Sequence, residues 1–498
     1  MTQDSLHPPA GTIRDWLDRR ADESPDAPAY HFTDDATSLT WADLRGKAHA
    51  IAASLTSSGT DHGESVAIMM PNGRPAVEAF FGAVYGGFRA TMINLAAGDT
   101  ALAYALDHCE ATHAFVGPSQ RDQFDRVKPA RMAAFEPGDG PAATLHPVGP
   151  DDMALLMYTS GTTGVPKGVL HSHASLMAGG WTTAIAHDLR SDDVGYCVLP
   201  ICHINGLCVS VMGTLISGSQ MVMAPKFSNQ QFWPDIEAHN ATWFSVVPTI
   251  ISHLLHSDTA PTTTSQKTLR FGRSASAPLA PEVQSAFEDR FSVPIVETMG
   301  LTETAAQILS NPLPPGPRKI GSPGVAFGNE VCIRGPDNDA LPPGQEGELL
   351  IKGPNVMRGY LKNEAETAKA MTADGWLRSG DLARMDADGY IFVTGRLKEL
   401  IIKGGENIAP REIDEALYAN ADVVEAAAFA VPCPTYGEEV HAAVTLRPDT
   451  SISSETLRDA CIARLGQFKA PATVHILPEL PKGPSGKIQR LKLTETFK

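Results

Sequence analysis

From Val194 to Pro225 the chain carries no Asp, Glu, Lys or Arg. A stretch of that length must be buried inside a large protein or span a bilayer, which takes about 20 consecutive apolar residues. Pro200, His203, Asn205, Ser210, Ser217 and Gln220 break it into pieces too short for a span. It reads instead as a strand, a turn and a buried helix of a core that needs a large body around it. The full chain, 498 residues with 43% hydrophobic and 19% charged side chains, supplies that body and excludes disorder as the main state.

Forty Lys and Arg against 57 Asp and Glu leave a formal charge of −17. The summed field repels phosphate backbones, and no basic run offsets it, so nucleic acid is not an expected partner. Seven scattered cysteines without a C-x-x-C pair argue against a disulfide framework or zinc knuckle and fit a reducing cytoplasm. Neither terminus carries a secretory or peroxisomal address, and no membrane association is expected.

An apolar run, Met153 to Met157, leads into Tyr158-Thr-Ser-Gly-Thr-Thr-Gly-Val-Pro-Lys167, a strand followed by a tight backbone loop. The glycines let backbone N–H groups converge, the hydroxyls donate, and the lysine adds charge, which is what phosphate binding requires. It is not a Walker loop, because Val165 and Pro166 separate Gly164 from Lys167. Strands are expected at 195–200, 219–223 and 243–248, with helices at 206–218 and 249–256, an alternation that gives an α/β body with mostly parallel strands. From about Arg318 short strands with turns take over, as at 348–354 and 389–396. Beyond Arg396 a compact α+β unit is expected: a helix opening at Pro410, strands at 423–431, 440–446 and 472–477, and a helix marked by Leu457, Cys461 and Leu465.

The phosphate-type loop resembles the signature of the adenylate-forming superfamily, which includes acyl-CoA synthetases, carrier-protein adenylation domains and luciferase-type enzymes. Further matches follow in order: Leu199-Pro-x-x-His203, Gly300-Leu-Thr-Glu303, Ser379-Gly-Asp381, Gly395-Arg-Leu-Lys-Glu399, Lys403-Gly-Gly405 and Pro484-Ser-Gly-Lys487. The resemblance spans the whole chain. It implies an N-terminal adenylate-forming domain over residues 1–396, built of layered α/β subdomains with a β-rich subdomain, and a small mobile α+β domain over 397–498. It also implies a reaction in which ATP, with Mg²⁺, activates a carboxylate as acyl-adenylate before a thiol displaces AMP.

By that resemblance Thr159, Ser160, Gly161, Thr162, Thr163, Gly164 and Lys167 hold the β- and γ-phosphates, Thr302 contacts the α-phosphate, and Glu303 ligates Mg²⁺. Asp381 accepts the ribose hydroxyls, with Arg396 near the ribose or phosphate and Met299 over adenine, where an aromatic residue is usual. Lys487 bridges the acyl carboxylate and phosphate, Lys398 is the hinge, and Gly404 and Gly405 border the channel for the pantetheine arm. His203 borders the acyl pocket, whereas His171 and His173 are read as structural.

Arg273-Ser-Ala-Ser-Ala277, Ser310-Asn-Pro-Leu-Pro314 and Ala241-Thr-Trp-x-Ser-x-Val-Pro-Thr249 look most like the oxalate–CoA ligase branch. Arg273, with Ser274 beside it, is positioned to pair with a second anionic group on a small acid. Ala306 stands where that branch has a histidine, and Thr298 where a malonate-type enzyme has arginine. The acid therefore stays open among oxalate, malonate, sulfoacetate and longer or aryl acids. CoA is the expected acceptor, with a carrier-protein pantetheine as the alternative.

Overall fold

Val66 to Met69 and Ala154 to Met157 are continuous apolar runs because both faces of the sheet they form are covered, as in parallel α/β layers. The computed structural model describes residues 7–138, 143–159, 166–448, 450–483 and 487–498. Those runs lie in a seven-stranded sheet ordered Gly359–Tyr360, Lys167–Ser172, Met153–Thr159, Arg89–Met92, Ser65–Met69, His113–Val116 and Ala133–Ala134.

A second sheet has nine strands. Its interior strands run in the order Pro28–Phe32, Gln220–Met223, Val194–Cys197, Trp243–Val246, Phe271–Ser274 and Ile295–Leu301, all parallel. Antiparallel strands, Ser38–Thr40 at one end and Ala306–Ser310 then Val325–Ala326 at the other, complete it.

Helices fill the space between the two sheets. Thr40 starts the helix Trp41–Ser57 with a capping box closed by Asp43. That helix packs on Arg74–Gly86, whose Phe80 and Phe81 share one core with Tyr30 and Phe32 of the nine-stranded sheet and Val66 and Ile68 of the seven-stranded one. The layered α/β architecture expected from the sequence is met.

The uncharged stretch lies in this core as the strand Val194–Cys197, a helical segment over 205–217 and the strand Gln220–Met223. No helix among the described residues is long and apolar enough to cross a membrane. One detail departs from expectation: Asn205–Met212 is π-helical before the α-helical turn Gly213–Ser217. The backbone runs close to the preceding turn here, since a Cβ on Gly206 would lie 2.3 Å from the carbonyl oxygen of Pro200. A π-helical turn is rare and is frequently placed at functional sites.

After Arg318 comes the antiparallel sheet Glu330–Arg334, Glu346–Lys352, Leu377–Met385 and Ile391–Arg396. It ends at Arg396, residues 397–399 form a turn, and the next sheet starts at Ile401. That last sheet pairs Ile401–Lys403 with Glu406–Ile408, and Gly437–Leu446 with Val423–Cys433 and Thr473–Ile476. The helices Pro410–Tyr418 and Ser454–Leu465 close a separate core of Ile413, Leu417, Val423, Val444, Leu457 and Cys461.

Candidate active site

The strand Ile295–Leu301 leaves the nine-stranded sheet and turns sharply through Thr302–Thr304. Gly300 is required there, because a Cβ would sit 1.9 Å from the carbonyl oxygen of Ala306. Ala305 and Ala306 hold φ of 44° and 77°, left-handed values that cost non-glycine residues about 1–3 kcal/mol each. The Leu301 N–H donates to Thr304 Oγ1 at 3.1 Å and ties the turn. His171 supports it from below, its Nε2 lying 2.7 Å from the Thr302 carbonyl oxygen and its Nδ1 3.1 Å from Ser175 Oγ. Complete burial lowers the His171 pKa to about 4, so the neutral ring donates from Nε2. The expectation that His171 is structural thus acquires content: it fixes Thr302. His173 is likewise buried and lowered to about 4, and its Nδ1 accepts from the Ile13 N–H.

Glu303 is held by a residue that sequence reading missed. Tyr360 enters on the two-residue strand that pairs with Lys167–Ser172, and its hydroxyl donates to Glu303 Oε1 at 2.8 Å. Lys167 Nζ stands 4.8 Å from the centre of the Tyr360 ring and pairs with Glu366. Lys167 and Lys369 pull the Glu366 pKa down to about 2. Thr159 Oγ1 donates to the Lys167 carbonyl oxygen at 3.5 Å. Ser160, Gly161, Thr162, Thr163 and Gly164 lie outside the described residues.

A cleft between the N-terminal body and the C-terminal sheet is lined by Thr298, Met299, Asp381, Arg396, Glu399 and Lys487, among others. Asp381 and Arg396 are cross-strand partners, and Arg396 Nε donates to Asp381 Oδ1 at 2.7 Å. Asp381 is 5% exposed, and its other oxygen has no partner among the described residues. Lys487 Nζ lies 3.9 Å from Glu399 Oε1, and Arg490 Nε lies 3.7 Å from Glu399 Oε2. Desolvation in the cleft, then Arg396, holds the Lys487 ammonium below the ordinary lysine pKa, with Glu399 opposing. Arg490 also ties the residues after Lys487 to the helix Pro410–Tyr418 through an ion pair to the buried Asp414.

Two groups stand apart from this cleft. Lys398 is exposed in the turn that follows Arg396. Gly404 and Gly405, at φ of 59° and 87°, form the tip of the hairpin between Ile401–Lys403 and Glu406–Ile408 and do not line the cleft.

Behind the cleft wall lies Arg273, 1% exposed on the strand Phe271–Ser274. Its Nε donates to Gln307 Oε1 at 3.2 Å, and one terminal nitrogen donates to Asn205 Oδ1 at 2.8 Å and Ser245 Oγ at 3.2 Å. All three acceptors are neutral, and burial lowers the guanidinium pKa to about 9. A buried cation with no carboxylate partner among the described residues is costly to maintain. Among the described residues the fully buried Ser274 Oγ and the buried His203 Nε2 have no partner, and burial lowers the His203 pKa to about 4.

Glu297, which lines the cleft, is the converse: burial raises its pKa to about 7, with Oε1 accepting from the Leu279 N–H and Oε2 without a partner among the described residues. Glu297 and Asn205 left some trace in the sequence, as a charge on an apolar strand and an amide within the uncharged stretch. Ser276 was visible only as a member of the 273–277 stretch, with no role assigned to it, and Tyr360 and Glu366 left no trace.

The AMP-binding enzyme family model matches residues 17–361, and the AMP-binding enzyme C-terminal domain model matches residues 412–487. The chain is 42% identical over 489 residues to the sulfoacetate–CoA ligase of Cupriavidus necator, with 95% of this chain and 96% of that one covered. It is 40% identical over 351 residues to the oxalate–CoA ligase of Arabidopsis thaliana, covering 70% of this chain and 68% of that one. Among solved structures, ATP-bound MatB from Rhodopseudomonas palustris superposes with a TM-score of 0.88 at 30% identity over 97% of this chain and 99% of that one. The Bacillus subtilis o-succinylbenzoate CoA synthetase with its acyl-adenylate intermediate gives 0.84 at 26% identity, covering 96% and 97%.

Proposed function

The chain belongs to the AMP-binding enzyme family, and from that premise we propose that it is an AMP-forming acid:CoA ligase acting on a small, doubly charged organic acid in the cytoplasm. A carboxylate has no good leaving group at neutral pH. In the first step its oxygen attacks the α-phosphorus of ATP, the bond to the bridging oxygen breaks, and pyrophosphate departs. In the second, the CoA sulfur, its proton lost, attacks the acyl carbon and AMP leaves.

The observation that carries this reading is the convergence on one cleft of Asp381 and Arg396, cross-strand partners in the sheet that precedes residue 397, and Lys487 from the C-terminal part of the chain. An ammonium there can orient the acid's carboxylate against the α-phosphate and stabilise charge that grows as they join. Asp381 suits a ribose, because its free buried oxygen can only accept and a hydroxyl can donate. Met299 covers the adenine through its thioether. Lys167, released from Glu366, joins the loop that follows Thr159 in holding the β- and γ-phosphates, while Thr302 meets the α-phosphate. Glu303 has one oxygen engaged by Tyr360 and a second for a hard cation, so the site fits Mg²⁺. When bound, Mg²⁺ neutralises charge on the phosphates.

For the second step Lys487 has to withdraw, and the turn at Lys398 is where the C-terminal part pivots to bring Gly404 and Gly405 to the thiol's channel. Support for a small dianionic acid comes from the uncompensated charge of Arg273 and from the ligases for sulfoacetate and oxalate among the relatives. All seven cysteines are free thiols, in keeping with the cytoplasm.

Exchange of labelled pyrophosphate into ATP without CoA tests the assignment. It is expected only when a suitable acid is present, and adding CoA is expected to convert the same acid to thioester. Exchange that ignores the acid, or thioester formed only on a carrier-protein pantetheine, contradicts it.

A further inference from the structure

Arg273 does not line the cleft, yet a hydrogen-bonded chain connects it to a residue that does. A guanidinium only donates, so the amide atom of Asn205 that faces it at 2.8 Å must be Oδ1. The orientation of that amide is thereby fixed, and Nδ2 donates to Ser276 Oγ at 3.1 Å. Since Ser276 Oγ accepts from Asn205, its own proton points away from the amide. Ser276 is exposed in the cleft wall, and no hydrogen bond from its hydroxyl to a described residue occupies that proton.

Two further features show that this arrangement is built. Asn205 opens the π-helical segment, which places its side chain between Arg273 and Ser276. Ser276 holds φ of 74°, a left-handed conformation that serine adopts only when its surroundings impose it, and such strain clusters at ligand sites.

On the reading of the chain as an acid ligase, we propose that Ser276 donates a hydrogen bond to the distal anionic group of the acid, and that Asn205 and Arg273 hold and polarise that donor. The cation sits at the buried end, and every N–H and O–H from it to the cleft points the same way. In such a chain each bond strengthens the next. A sulfonate or second carboxylate, which can only accept, completes it and meets the field of a cation that has no carboxylate partner among the described residues. A methyl group in the same place leaves the Ser276 hydroxyl without an acceptor. Arg273 and Asn205 are positioning residues here, and Ser276 is the one that touches the acid.

Asn205→Asp is nearly isosteric and reverses the chain: the introduced carboxylate pairs with Arg273 and accepts the Ser276 proton, which turns lone pairs toward the cleft. Ser276→Ala removes the donor, and Ser276→Thr keeps it. The readout is kcat/KM for sulfoacetate and malonate divided by that for acetate, with thermal unfolding of each variant as the control for folding. The wild type is expected to favour the doubly charged acids. That ratio is expected to fall at least tenfold in Asn205→Asp and Ser276→Ala, mainly through KM, and to be largely kept in Ser276→Thr. Tenfold is the low end for one hydrogen bond to a charged group. A ratio unchanged in both variants, or an equal loss for all acids, overturns the relay while leaving the acid-ligase reading intact. A wild type indifferent to the second charge overturns both the relay and the small-dianion assignment.

Discussion

Lys487 bears most directly on the chemistry because its contribution separates by half-reaction. Its ammonium acts where carboxylate and α-phosphate join, and nothing in the attack of a thiol on a finished adenylate calls for it. Lys487→Ala is therefore expected to lower acid-dependent pyrophosphate exchange by at least a hundredfold, on the order of 3 kcal/mol of transition-state stabilisation. Thioester formation from supplied acyl-adenylate is expected to survive. Equal loss of both steps would assign Lys487 to the fold.

Glu297 gives a second prediction at this scale, one of stability. Burial raises its pKa from 4.5 to about 7, so the native state favours the protonated acid. Its stabilisation is full below pH 4.5 and is lost as pH rises through 7, by on the order of 3 kcal/mol. Glu297→Gln keeps the bond from the Leu279 N–H and is expected to flatten that decline in denaturant melts between pH 5 and 8. Lys487, Glu303 and Asp381 were legible in the sequence because each lies inside a short contiguous motif. Tyr360 was not, and Ser276 was only a member of the quoted 273–277 stretch without a role, because what each does depends on a partner 57 or 71 residues away.

At the scale of elements, the turn from Ile295–Leu301 into Thr302–Thr304 and the strand Gly359–Tyr360 together fix Glu303. Gly300→Ala forces a Cβ against the Ala306 carbonyl and is expected to destabilise the protein by about 1–3 kcal/mol, read as a lower denaturation midpoint, with Thr302 and Glu303 displaced. Strand and helix order was well marked in the sequence, since apolar runs and alternation report burial directly. The π-helical turn at Asn205–Met212 was not, because its apolar pattern is also that of an ordinary helix. Within it Gly206 packs closely on Pro200, a contact no periodicity encodes.

At the scale of the molecule, the N-terminal body and the C-terminal sheet are held together by identifiable contacts. Arg411 donates to the carbonyl oxygens of Val393 at 2.5 Å and Gly321 at 3.2 Å, Arg464 pairs with Glu282 at 3.1 Å, and Ser252 Oγ donates to the Val424 carbonyl. These contacts hold the arrangement in which Lys487 faces Asp381. Arg411→Ala is expected to slow the adenylation half-reaction several-fold while slowing thioester formation less, as rapid-quench measurement of the two steps would show. Acid sensitivity is also a property of the whole. His171, His173 and His203 are lowered from 6.5 to about 4 by burial, so the stability they confer is present above pH 6.5 and is lost as pH falls through 4.

The most direct measurement is AMP release from purified protein with ATP, Mg²⁺ and CoA across oxalate, malonate, sulfoacetate, acetate, octanoate and an aryl acid. Turnover concentrated on the small, doubly charged acids, with the matching CoA thioester formed, is the expected result. Turnover only with octanoate or the aryl acid would contradict it, leaving Arg273 a structural charge and the acyl side of the cleft built for a different substrate.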